Sequence, residues 1–105
     1  MDIKFYIPSD ETVPTQLRLL ANGKIVNYKK VRDKFAYDFT VYHATEEESK
    51  EIVDEIVRKM CYQSYDHGSE WRVTNKEVIE TFMISDNYTP LSCTIRVYFY
   101  IKDSY

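Results

Sequence analysis

The stretch Thr45–Tyr62, TEEESKEIVDEIVRKMCY, constrains the fold more than any other part of the chain. Thr45 and Glu48 have the spacing of a capping box, in which each side chain satisfies a backbone N–H left open by the first turn. Glu46, Glu47 and Glu48 suit the positive end of a helix dipole, and Arg58 and Lys59 suit the negative end. Ile52, Val53, Ile56, Val57 and Met60 recur at helical spacing as one apolar stripe. Asp54 and Glu55 stand four residues before Arg58 and Lys59, a spacing that supports ion pairs along the outer face. The pattern predicts an amphipathic helix over 45–62 with one face to bury.

Its neighbours read as the strands that bury it. Ile3, Phe5 and Ile7 alternate with Lys4 and Tyr6, a half-buried strand stopped at Pro8. Asn22-Gly23 lies between apolar runs, and both residues tolerate the positive φ of a tight hairpin turn. This predicts strands near 15–21 and 24–31. Pro14 and Gly23 also fit the ends of a short helix, with Leu17, Leu20 and Ala21 on one face. That alternative, a second helix at 14–22, gives a ferredoxin-like fold.

From Lys34 to His43, Phe35, Tyr37, Phe39 and Val41 alternate with Ala36, Asp38, Thr40 and Tyr42. The first set is expected to face the core. Gln63–Ser69 reads as a polar loop. Thr74 and Glu77 give a second capping-box match, with Val78, Ile79, Phe82 and Met83 at helical spacing. Yet 70–85 is rich in β-branched and aromatic residues, which favours strands at 70–74 and 77–85. After a turn at Asp86–Pro90, Leu91–Lys102 alternates again. Cys93, Ile95, Val97, Phe99 and Ile101 face in; Thr94, Arg96, Tyr98 and Tyr100 face out. The expected fold is a two-layer α+β domain spanning 1–105, an antiparallel sheet of five to six strands with one long helix on one face.

Composition narrows the function classes. In 105 residues, 44% hydrophobic and 30% charged content belongs to a folded chain, and two glycines and three prolines leave little for linkers. A net charge of −3 lacks the basic surface of a nucleic-acid binder. Cys61 and Cys93 do not make a disulfide framework. No apolar run reaches spanning length, and MDIKFYIPSD lacks the layout of a signal peptide. Together these lead to the expectation of a cytoplasmic protein without a membrane span.

No glycine-rich phosphate loop, GxSxG, HExxH or paired CxxC occurs, so no cofactor or metal is expected. Ser64, Asp66 and His67 are residue types used in nucleophilic sites, but adjacency in sequence reads better as a polar turn. His43 reads as a structural histidine. Cys61, His67 and Cys93 lack metal-motif spacing.

The charges cluster. Lys24, Lys29, Lys30, Arg32 and Lys34 outweigh Asp33, giving 24–34 a net +4; Glu46, Glu47, Glu48, Glu51, Asp54 and Glu55 outweigh Lys50, giving 45–55 a net −5. Such runs guide docking or simply solvate a surface.

Ten tyrosines exceed ordinary usage. On the expected sheet, Tyr6, Tyr42, Arg96, Tyr98 and Tyr100 share the face the helix leaves open, and tyrosine and arginine dominate the energetic centres of interfaces. The expectation is a non-enzymatic protein-binding domain whose partner is another protein or a second copy. Its character suits a small phage or mobile-element protein that inhibits a host enzyme or defence complex. The alternatives are a self-assembling structural or virion accessory protein and, behind it, a small enzyme using His43 or His67.

Overall fold

A computed structural model of the chain describes residues 7, 16–66, 68–84 and 89–102. The elements are β1 (Gln16–Ala21), β2 (Lys24–Lys30), β3 (Ala36–Tyr42), α1 (Glu46–Asp66), β4 (Glu70–Ile84) and β5 (Thr89–Lys102). The strands form one antiparallel sheet in the order β1-β2-β3-β5-β4. The long α1 packs chiefly on β4, β5 and β3. This is the α+β arrangement expected, with five strands. β3 and β4 run parallel with β5 between them, so α1 crosses over β5 as in a split β-α-β unit.

The hairpin reading of 15–28 holds. Asn22 and Gly23 have φ of 50° and 76°, and Ala21 pairs with Lys24 across a two-residue loop. Residues 16–21 are therefore strand, which overturns the helix at 14–22 and the ferredoxin-like alternative. The expected strand Ile3–Ile7 lies outside the described residues apart from Ile7, which packs against the core.

The helix starts as expected. The Glu48 N–H donates to Thr45 Oγ1 at 3.1 Å, and the Thr45 N–H donates to Glu48 Oε1 at 3.4 Å. It ends later than expected, at Asp66 rather than Tyr62. Ser64 explains the extension: its buried hydroxyl donates to the Cys61 carbonyl at 2.8 Å and accepts the Trp71 N–H at 3.3 Å. That pins the last turn to the start of β4. Consequently Arg58 and Lys59 do not reach the final turn, which carries no basic residue. Asp54 pairs with Lys76 of β4, tying helix to sheet.

The two strands expected at 70–74 and 77–85 are one strand, β4, which excludes the helical reading there. Its register shifts at Val73/Asn75 and Val78/Glu80, leaving Thr74 and Ile79 as extra residues, and again at Phe82/Met83. These bulges bend the strand and locally disrupt the ladder, which is why it reads as two pieces. β5 begins at Thr89, so Thr89 and Pro90 of the expected turn are strand; the rest of that turn lies outside the described residues.

The core combines Ile52, Val53, Ile56, Val57 and Met60 of α1 with Tyr37, Phe39, Val41, Cys93, Ile95 and Val97. Burying such a side chain contributes about 1.5–3 kcal/mol. Trp71 closes one end, with its ring 4.8 Å from Phe35 edge-on and 5.5 Å from Phe99. Four burials differ from expectation. Ala36, Asp38 and Thr94 are buried although they lie on the outer side, and Ile101 is half-exposed.

Candidate functional site

The side of the sheet away from α1 is the candidate site. Successive strand residues point to opposite faces, so the register fixes which side chains lie side by side there. One row across the sheet is Lys29, Asp38, Arg96 and Glu77; the next is Arg18, Asn27, Thr40, Thr94 and Glu80. The third runs Leu20 and Ile25 on the first hairpin, then Tyr42, Ser92 and Phe82.

The centre is polar and internally satisfied. Arg96 donates to both oxygens of Asp38, at 2.7 and 3.0 Å, and only 7% of the Asp38 side chain is exposed. The hydrogen bond to this carboxylate holds the Arg96 guanidinium well above its already high ordinary pKa. Thr40 and Thr94 hydroxyls meet at 2.8 Å. Around these groups lies a groove of about 360 Å³, floored by Thr40, Thr94 and Asp38 and walled by Gln16 on one side and Ile79 and Glu80 on the other.

The expected tyrosine cluster is present in part. Tyr42, Arg96, Tyr98 and Tyr100 share this face, while Tyr6 lies outside the described residues. They do not form one patch. Tyr42 stands at one end, where its hydroxyl accepts from Asn27 Nδ2 at 3.0 Å. Tyr98 and Tyr100 stand beyond the ion pair at the other end. The Tyr98 hydroxyl donates to Glu77 Oε1 at 2.9 Å, and Tyr100 is half-exposed opposite Arg72. Arg96 itself is committed to Asp38 and serves the fold before any partner.

Sequence reasoning missed the apolar part of the face. Leu20 (60% exposed), Ile25 (43%) and Phe82 (51%) stand in the row with Tyr42. The signal for the first two was present: a two-residue Asn22-Gly23 loop puts Leu20 opposite Ile25 on the face away from Leu19 and Val26. Phe82 was hidden by the β4 bulges.

The basic segment does not act as one patch. Lys24 donates to the His43 carbonyl and lies 4.0 Å from Glu48, so it partly neutralises the acidic helix start. Lys30 donates to the Lys34 carbonyl in the β2–β3 connection, where Arg32 is exposed. Lys29 alone faces the groove.

Among the described residues the enzyme candidates are not brought together with one another. His43 is exposed, with φ of 57° at the turn into the helix, and its N–H donates to the Leu91 carbonyl at 3.0 Å. Ser64 is occupied in capping, and His67 lies outside the described residues. Cys93 is buried in the core; burial pushes the half-buried Cys61 thiol up, away from the reactive thiolate. Among the described residues no group of three or more His, Cys, Asp or Glu is placed to hold a metal ion, and no helix is long and apolar enough to cross a membrane.

Comparisons with protein-family models, with curated proteins and with solved structures found no match, so the chain's own geometry carries the functional reading.

Proposed function

We propose that the protein is a non-enzymatic binding domain that docks the outer face of its sheet on another protein molecule. One observation carries this reading: Leu20, Ile25, Tyr42 and Phe82 form a row of large side chains across a face that α1 does not cover. Exposed apolar side chains beside polar groups, here with the buried Ser92 between Tyr42 and Phe82, are the make-up of an interface, where apolar anchors supply energy and the polar surround supplies specificity. Tyr98 and Tyr100 extend the face at the other end. Inhibition of a host enzyme, the use suited to the chain's character, needs no more than such an occluding surface. The free thiols of Cys61 and Cys93 suit a reducing compartment such as the cytoplasm.

The test is the double variant Leu20→Asp/Phe82→Asp. Both positions are exposed, so circular dichroism and the melting temperature are expected to match the wild type. The wild type is expected to retain a protein partner, a second copy included, that the variant loses. If both proteins hold the same partners with the same affinity, the outer face is not the binding surface.

A further inference from the structure

We infer that two copies of this chain associate through their outer sheet faces about a two-fold axis parallel to the strands, the β1–β2 rim of each resting on β4 of the other. This rests on the binding reading above and names the partner as a second copy.

The charges on the face are segregated. Arg18 and Lys29 stand on the β1–β2 side, Glu77 and Glu80 on β4. Among the described residues neither Lys29 nor Glu80 has an ion-pair partner. Within the same described residues Arg18 binds the neutral Asn27 Oδ1, at 3.1 Å, and Glu77 the Tyr98 hydroxyl. The two sets cannot meet within one molecule: β1 and β4 are opposite edges, about 19 Å apart at the usual strand spacing.

A second copy brings the two edges together, β1 over β4, while Lys29 on β2 comes over Arg96 on β5, whose charge Asp38 already neutralises. Rotation about an axis parallel to the strands exchanges the two edges and keeps each residue's height along its strand. Arg18 then lies over Glu80 of the second copy, and Leu20 over Phe82 of the second copy. Both contacts occur twice, as an isologous interface requires, and the strands of the two sheets stay aligned as in face-packed sheets.

The groove fits this geometry. Two concave faces touch at their rims, and the rims carry the exposed apolar anchors and the unpaired charges. The enclosed floor holds Thr40 with Thr94 and Asp38 with Arg96, groups already bonded to one another. They need nothing from across the interface. The competing edge-to-edge mode is obstructed on β4, where Thr74 and Ile79 break the ladder and the Thr74 hydroxyl donates inward to the Tyr98 carbonyl at 3.2 Å.

Charge swapping tests the inference. Arg18→Glu and Glu80→Lys are made as separate proteins, and their mass is followed against concentration by sedimentation equilibrium. The wild type is expected to dimerise. Each variant alone puts like charges together twice and is expected to self-associate at least about tenfold more weakly. An equimolar mixture restores opposite charges at both contacts and is expected to recover wild-type affinity within a few-fold. Both positions are exposed, so both folds are expected to survive, which circular dichroism checks. A wild type that stays monomeric at every concentration, or a mixture no tighter than its components, overturns the dimer. If Leu20→Asp/Phe82→Asp then still abolishes capture of a different protein, the binding face stands and only the second copy is wrong.

Discussion

On the inner face of the sheet the rows are almost wholly apolar: Val26, Val41 and Cys93 lie side by side, then Tyr28, Phe39 and Ile95. One residue along each strand, the outer face reads Asn27, Thr40 and Thr94, then Lys29, Asp38 and Arg96. The same backbone therefore carries two kinds of specification. The inner face is held by burial against α1, which is non-directional and rewards volume. The outer face is held by directional bonds between named partners, and its large apolar groups are pushed out to the rims.

The sharpest way to break the comparison is to delete volume on the inner side. Phe39→Ala is expected to cost about 3–5 kcal/mol, read by urea denaturation, because the fully buried ring leaves a cavity. On the outer side Arg96→Ala is expected to cost about 3 kcal/mol by the same measurement, because the buried Asp38 carboxylate loses its partner. The cause differs, and replacing both ends shows it. Asp38→Leu/Arg96→Met is expected to recover most of that loss; a double variant as unstable as Arg96→Ala would mean that the pair is worth more than an apolar substitute. Ser49 is a polar exception on the apolar side, fully buried in α1 with its hydroxyl, unlike that of Ser64, unbonded. Ser49→Ala is expected to raise stability by about 1 kcal/mol in thermal melts. Smallest of all, Phe82→Ser on the rim is expected to change stability by less than about 0.5 kcal/mol while weakening association.

Much of the inner face was legible because burial imposes a period. Period 3.6 in Thr45–Tyr62 and period 2 in β3 and β5 each point at one core, and Asn22-Gly23 fixes the first register through its backbone angles. What escaped reading depends on partners distant in sequence. Ser64 extends the helix only because Trp71 supplies an N–H. Asp38 is buried only because Arg96 reaches it. The β4 bulges disturb the period that would have displayed Phe82, and the two ends of the tyrosine face look adjacent until register separates them.

The strand order has a consequence for how the chain assembles. β1-β2-β3 is a meander of near neighbours and β4-β5 is one long hairpin, so each piece closes locally. Within the sheet, among the described residues, the β3–β5 seam joins them, with Asp38 and Arg96 58 positions apart. Bringing distant segments together carries the larger entropy cost and sets folding speed. The β3–β5 seam therefore carries the largest loop-closure cost in the sheet. A slip of two residues there would set Arg96 beside Ala36 or Thr40 and strand the Asp38 charge. The ion pair on the outer face thus makes the aligned seam the one register that leaves no buried charge alone.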